Sequence, residues 1–201
     1  MGRSDDPTSR YVSLLARAGK SAVPEMSRRL GISRAAAGEA FGASAGLVLA
    51  GLARHQRRRV GDPAAASAVV EKYGRPADVD APDIAVGAHL ARPSLNPRLG
   101  GLLGDAAQRA CAWLSARTGE SPDALGRAIA ASAPLALGAL GTATSAEGAP
   151  LRPLLDAVPE DSNPLDEPGR LLEPSGPCAD AFRRLRHAGS PWFSRLLPRR
   201  H

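Results

Sequence analysis

The chain has 201 residues, of which 43% are hydrophobic but only 3% aromatic, and the two Trp, two Tyr and three Phe leave an interior to be built from Leu, Ala, Val and Gly. That balance excludes a typical β-sandwich, whose strands draw on aromatic and β-branched side chains, and favours close-packed helices. The formal net charge is +6; of the 26 basic residues only Lys20 and Lys72 are lysine, and Cys111 and Cys178 are too few and too far apart for a disulfide framework or a CxxC pair, which fits a reducing cytoplasm.

Residues 1–10 contain no apolar run of the export type and read as a flexible N-terminus. Leu14, Leu15 and Ala18 mark a short helix ending near Gly19, and Pro24 at a first-turn position opens another that Gly31 closes. Ser33 caps a long helix from Arg34 to about Arg59. A shorter helix runs from Asp62-Pro63 to Tyr73 with Gly74 as its terminator, and the stretch with Asp78, Asp80 and Asp83 reads as a Pro-broken loop. Asn96-Pro97 opens the next short helix, Asp105 caps its successor, and Gly119 closes that one. Ser121-Pro122-Asp123 then starts a second long helix, which Pro134 is expected to kink or break, and a last helix spans Pro150 to about Val158. Ala128 to Ala146 is uncharged over the length of a membrane span, but its Ala, Gly, Ser and Thr content favours a buried helix. Residues 159–181 hold six acids and only Arg170 among five prolines, an acidic Pro-rich linker. Residues 182–201 hold six Arg and no acid, a basic amphipathic tail peptide.

The chain also matches itself. Residues 11 to 53 laid over 99 to 141, at a constant offset of 88 and without a gap, agree at 17 of 43 positions, Gly31/Gly119, Ser33/Ser121 and Ser44/Ser132 among them. This divides the ordered part into a first helical repeat (11–97) and a second (98–158). The fold class expected is all-α: a helical bundle built from two tandem pseudo-repeats, with a mostly disordered C-terminal tail. Gly38, Gly42 and Gly46, and Gly126 and Gly138 in the second copy, fall at multiples of four and leave one face of each long helix nearly bare. Such a face lets helices approach closely, either between the copies of one bundle or between separate molecules.

Two segments carry a family likeness. Met26-Ser27-Arg28-Arg29-Leu30-Gly31-Ile32-Ser33 leads into a helix ending Gly46-Leu47-Val48-Leu49-Ala50-Gly51-Leu52-Ala53, and Arg117-Thr118-Gly119-Glu120-Ser121 leads to Ala133-Pro134-Leu135-Ala136-Leu137-Gly138-Ala139-Leu140-Gly141. In this the chain resembles the bacterial YidB-like proteins, a family of unknown function (domain of unknown function 937), over about residues 11 to 158. The resemblance implies an all-α bundle and brings no catalytic residues. Thr118 and Glu120 depart from the apolar residues the family pattern has around the second turn, and Gly46 stands in place of its first proline.

Chemistry is sparse. His55, His89, His187 and His201 lie at no metal-ligand spacing, Cys111 sits in an apolar context, and Gly100-Gly101-Leu102-Leu103-Gly104 lacks the Lys-Ser/Thr of a phosphate loop. No catalytic residue, cofactor or metal is expected. Arg54, Arg57, Arg58 and Arg59 cluster at a helix C-terminus, where the helix dipole alone favours cations, but they are also placed to bind an anion. Because the helix after Ser33 begins Arg34-Ala35-Ala36-Ala37-Gly38, nucleic-acid contact would be non-specific. Trp192, Phe193, Leu196 and Leu197 form one stripe of a short helix suited to docking a partner groove, an anionic membrane surface or the parent bundle. The reading is a cytoplasmic, non-enzymatic interaction or scaffolding protein that self-associates through its Gly/Ala-rich helix faces and docks a partner through its C-terminal peptide. The alternative is a nucleic-acid or anionic-surface binder using Arg-rich patches, and no transmembrane span is assigned in either case.

Overall fold

Arg34 to Arg58 reads RAAAGEAFGASAGLVLAGLARHQRR, and every residue from Ala36 to Ala53 of that helix is buried. A helix apolar on all sides belongs at the centre of a bundle, and the chain is built around it. The computed structural model describes residues 7–59, 62, 64–92, 97–145, 151–156 and 158. Among these the elements are all helical: α1 (Pro7–Leu30), α2 (Arg34–Arg58), α3 (Ala65–Tyr73), α4 (Pro76–Asp80), α5 (Pro82–Leu90), α6 (Pro97–Leu103), α7 (Asp105–Thr118), α8 (Pro122–Ser145) and α9 (Arg152–Asp156).

The pairing of α2 with α8 is the largest helix contact, and α1, α7 and α3 each pack on both. α4 and α5 close over α1 and α8, while α6 and α9 lie on α2. α2 and α8 are each long and apolar enough to cross a membrane, yet 94% and 72% of their most apolar windows are buried within the bundle. The buried Ser44 hydroxyl on α2 donates to the Ile129 carbonyl of α8 at 2.8 Å, and its sequence counterpart Ser132 donates to Ala128 at 2.7 Å. Each hydroxyl thus satisfies itself in a site where an unpaired one would cost stability.

Two turns reverse the chain into the central helices in the same way. Gly31 (φ 66°) and Gly119 (φ 75°) sit in the left-handed region, and their amides bond to the carbonyls of Ser27 and Ser115 at 3.0 and 2.9 Å. The Ser27 hydroxyl reaches the Ile32 carbonyl, and the Ser115 hydroxyl the Glu120 carbonyl, each at 2.7 Å. Ser33 caps α2 as expected, its Oγ accepting from the Ala36 amide. Glu120 adds a second cap: its Oε1 accepts the Ser33 amide at 2.8 Å, so a carboxylate sits at the N-terminus of α2.

Several expectations need correction. The two short helices expected before Gly31 are one continuous helix, α1, which starts at Pro7 and passes through Gly19 and Pro24. The break occurs only in the second copy, where Gly104 (φ 56°) separates α6 from α7 and takes the cap position expected of Asp105. α8 continues through Pro134. The presumed loop after Gly74 is two short helices, each opened by a proline at its first position, so Asp78 and Asp80 lie on α4 and Asp83 on α5. Residues 159–201, with the linker and tail readings, lie outside the described residues.

Candidate anion-binding cleft

The C-terminal turns of α2 carry Arg54, His55, Arg57 and Arg58, with Arg59 as the C-cap residue. Beside them opens a cleft of about 540 Å³ lined by Gly51, Arg54, His55 and Arg58 of α2 with the cap residue Arg59, by Asp62 of the following loop, by Ala65, Ala68, Val69, Lys72 and Tyr73 of α3, and by Gly101 and Leu102 of α6. Its construction depends on a close backbone approach, since a Cβ on Gly51 would lie 2.6 Å from the Leu102 carbonyl oxygen. Arg54 strengthens that contact by donating from Nη2 to the same carbonyl at 3.2 Å. Gln56 fixes the loop into α3: its side-chain nitrogen donates to the Asp62 carbonyl at 2.7 Å and its oxygen accepts the Ala66 amide at 3.0 Å.

The charge in the cleft is one-sided. Arg54, His55, Arg58, Arg59 and Lys72 bring basic side chains to its walls, and among the described residues Asp62 is the one carboxylate lining it. Asp62 also accepts the Ala64 amide at 3.1 Å, which holds its carboxylate to its own turn. The Arg58 and Arg59 guanidiniums have no partner among the described residues. The Lys72 ammonium stands 5.9 Å from the Tyr73 ring centroid. Ala65, Ala68, Val69 and Leu102 line the same cleft, so it combines cationic with apolar side chains.

Of the residues singled out by sequence, Arg54, Arg58 and Arg59 come together here, whereas Arg57 turns away and donates from Nη1 to the Val158 carbonyl at 3.2 Å, tying the end of α9 to α2. Lys72, Tyr73 and Leu102 carry no linear signal, because only the fold brings α3 and α6 to α2. Gly38, Gly42 and Gly46 are buried on α2. A Cβ on Gly138 would lie 2.6 Å from the Arg75 carbonyl oxygen and 3.0 Å from Val79, and one on Gly126 would meet Cys111 Sγ at 3.5 Å. At Gly138 the bare face is therefore occupied within the chain, by the start of α4. Trp192, Phe193, Leu196 and Leu197 lie outside the described residues.

Burial pushes the Cys111 thiol above its ordinary range, which keeps it protonated. Among the described residues no three His, Cys, Asp or Glu side chains converge as metal ligands. His89 Nε2 and Asp78 Oδ2, 3.4 Å apart, link α5 to α4. A cleft lined by these cations suits an anion.

The fold and the cleft define an all-α bundle protein with a basic surface site. The chain belongs to the family described as "Bacterial protein of unknown function (DUF937)", whose profile matches it over residues 13–143 and again over 101–183. The two matches begin 88 residues apart, the offset at which the chain aligns with itself. No curated protein and no solved structure matches the chain.

Proposed function

We propose that the chain is a non-enzymatic interaction protein that binds an anionic partner through the cleft at the C-terminus of α2, recognising charge rather than sequence. The observation that carries this reading is the convergence of Arg54, Arg58, Arg59 and Lys72, from two helices, on one cleft with a single opposing carboxylate among the described residues. Helix-dipole stabilisation favours the α2 arginines and, in the last turn of α3, Lys72 as well, but it does not by itself bring two basic helix ends to one cleft. Guanidiniums suit phosphate and carboxylate groups because their donors match two oxygens at once. The few side chains at the start of α2 that could read base edges make non-specific phosphate contact the natural form of any nucleic-acid binding.

The test is binding of a short DNA duplex across a salt series. Removing one phosphate-binding cation lowers the slope of log K against log salt by about 0.9. Arg58→Gln with Arg59→Gln is expected to flatten the slope by nearly two such steps. An unchanged slope would mean that the duplex is held elsewhere and would remove the cleft from the reading.

A further inference from the structure

Val158, the last described residue, is held against the basic end of α2: its carbonyl accepts Arg57 Nη1 at 3.2 Å, and Arg57 is followed at once by Arg58 and Arg59 of the cleft rim. The chain beyond it continues with Glu160 and Asp161, then Asp166, Glu167 and Glu173, with Arg170 as the one cation before residue 182. We propose that this acidic segment, residues 160–173, is the resident occupant of the cleft, lying across Arg58, Arg59 and Lys72 until an external polyanion displaces it. The inference rests on the cleft being an anion site, and it names what fills that site at rest.

Three features support the match. Chain spacing of at most about 3.6 Å per residue leaves Glu160 and Asp161 within about 11 Å of Val158, so the segment starts beside the C-terminal end of α2, one residue from the arginines that line the cleft. The segment interleaves its acids with Pro164, Leu165, Pro168, Leu171 and Leu172, and Ala65, Ala68, Val69 and Leu102 line the cleft alongside its cations. Tethering also makes the contact intramolecular, with an effective concentration in the millimolar range for a short linker, so a weak pairing is populated without high affinity. The consequence is competition: an external ligand must displace a covalently attached one, which sets a threshold of charge density for binding.

The scarcity of lysine gives a direct test. Zero-length carbodiimide coupling joins carboxylates to amines, and the full chain offers only Lys20, Lys72 and its N-terminal amine. Peptide mapping of the coupled monomer at low salt is expected to find Lys72 joined to carboxylates within 160–173. These bonds should disappear when coupling is done at about 1 M salt, where the screening length is about 3 Å, and fall several-fold in the Arg58→Gln/Arg59→Gln variant. Coupling of the segment mainly to Lys20 or the N-terminus, or none to Lys72, overturns the proposal. If Lys72 does not couple while DNA binding still depends on Arg58 and Arg59, this inference alone fails; if the DNA dependence is absent, the underlying cleft reading has failed.

Discussion

Glu39 and Arg117 join the two halves of the chain through a nearly buried ion pair: Arg117 Nε lies 3.2 and 3.1 Å from the two Glu39 carboxylate oxygens, linking α2 to α7. The Glu39 side chain is 9% exposed and that of Arg117 32%, and the guanidinium also covers the Trp113 ring at 5.4 Å. The positions equivalent to these by the 88-residue offset are Arg127 and Arg29, two cations. There the C-terminal part of α5 intervenes: Arg127 donates to the Leu90 carbonyl at 3.2 Å, and the Arg29 guanidinium lies against Gly87. Carbonyls at a helix C-terminus carry partial negative charge and suit this place between arginines.

The unequal burial of Glu39 and Arg117 predicts unequal mutational costs. Arg117→Ala strands a buried carboxylate and is expected to cost about 3 kcal/mol, the low end for a broken buried pair because one edge is open. Glu39→Gln leaves a cation that retains solvent and Trp113, and is expected to cost about 1 kcal/mol. Urea unfolding of the two variants checks the order; the reverse order would show that the pair is not what joins α2 to α7.

Glycine positions separate backbone strain from crowding. A Cβ at Gly31 or Gly119 meets nothing within 4 Å, so alanine there incurs only the strain of the left-handed backbone, about 1 kcal/mol at each site. At Gly138 the φ is helical but the Arg75 carbonyl blocks the Cβ; Gly138→Ala is expected to lose about 1 to 3 kcal/mol by overpacking, and Gly138→Leu more. Thermal melts that rank Gly138→Ala as harmless would mean that α4 does not press on α8.

At low pH the first group to watch is Glu25. Hydrogen bonds from Arg28 and Arg29, with their charges, hold its carboxyl down at about 2 against an ordinary 4.5. The unfolded chain therefore takes up this proton first as the pH falls. The contribution of Glu25 is complete above about pH 4.5 and declines toward pH 2. Glu25→Gln should lose stability less steeply across that window than the parent chain. Parallel curves would show that the Arg28 and Arg29 bonds do not persist in solution.

Thiol reactivity tests the core around α7. In a Cys178→Ser background, buried Cys111 should react with a disulfide reagent only as fast as the bundle opens. Labelling that is quick in buffer and insensitive to stabilising salts would place this helix at the surface.

The central helices are legible in the sequence because their signals are local. Ser33 ahead of an Ala-rich run and Ser121-Pro122-Asp123 ahead of another fix where α2 and α8 start. α1 runs on where its sequence suggests a break, because Gly19 and Pro24 carry helix-ending punctuation that packing against α8, α5 and α2 outweighs. α4 and α5 have a usable signal, a proline at each first position with an acid in each first turn, masked by their brevity. Glu120 reads as a departure from the apolar turn and proves to cap α2 from 87 residues away, which no local pattern reveals. The cleft is half legible: the arginine cluster stands in the sequence, but Lys72 and Leu102 join it through the fold, and the turning of Arg57 toward Val158 depends on where α9 docks.

The measurement that bears most directly on the proposed function is a residue-resolved amide chemical-shift titration of the full chain with a short DNA duplex. The cleft reading predicts that the largest changes fall on residues 51–59, 65–73 and 101–102, reverse on adding salt, and shrink in the Arg58→Gln/Arg59→Gln variant. Binding that moves only residues 182–201 and leaves those three segments unchanged would contradict it.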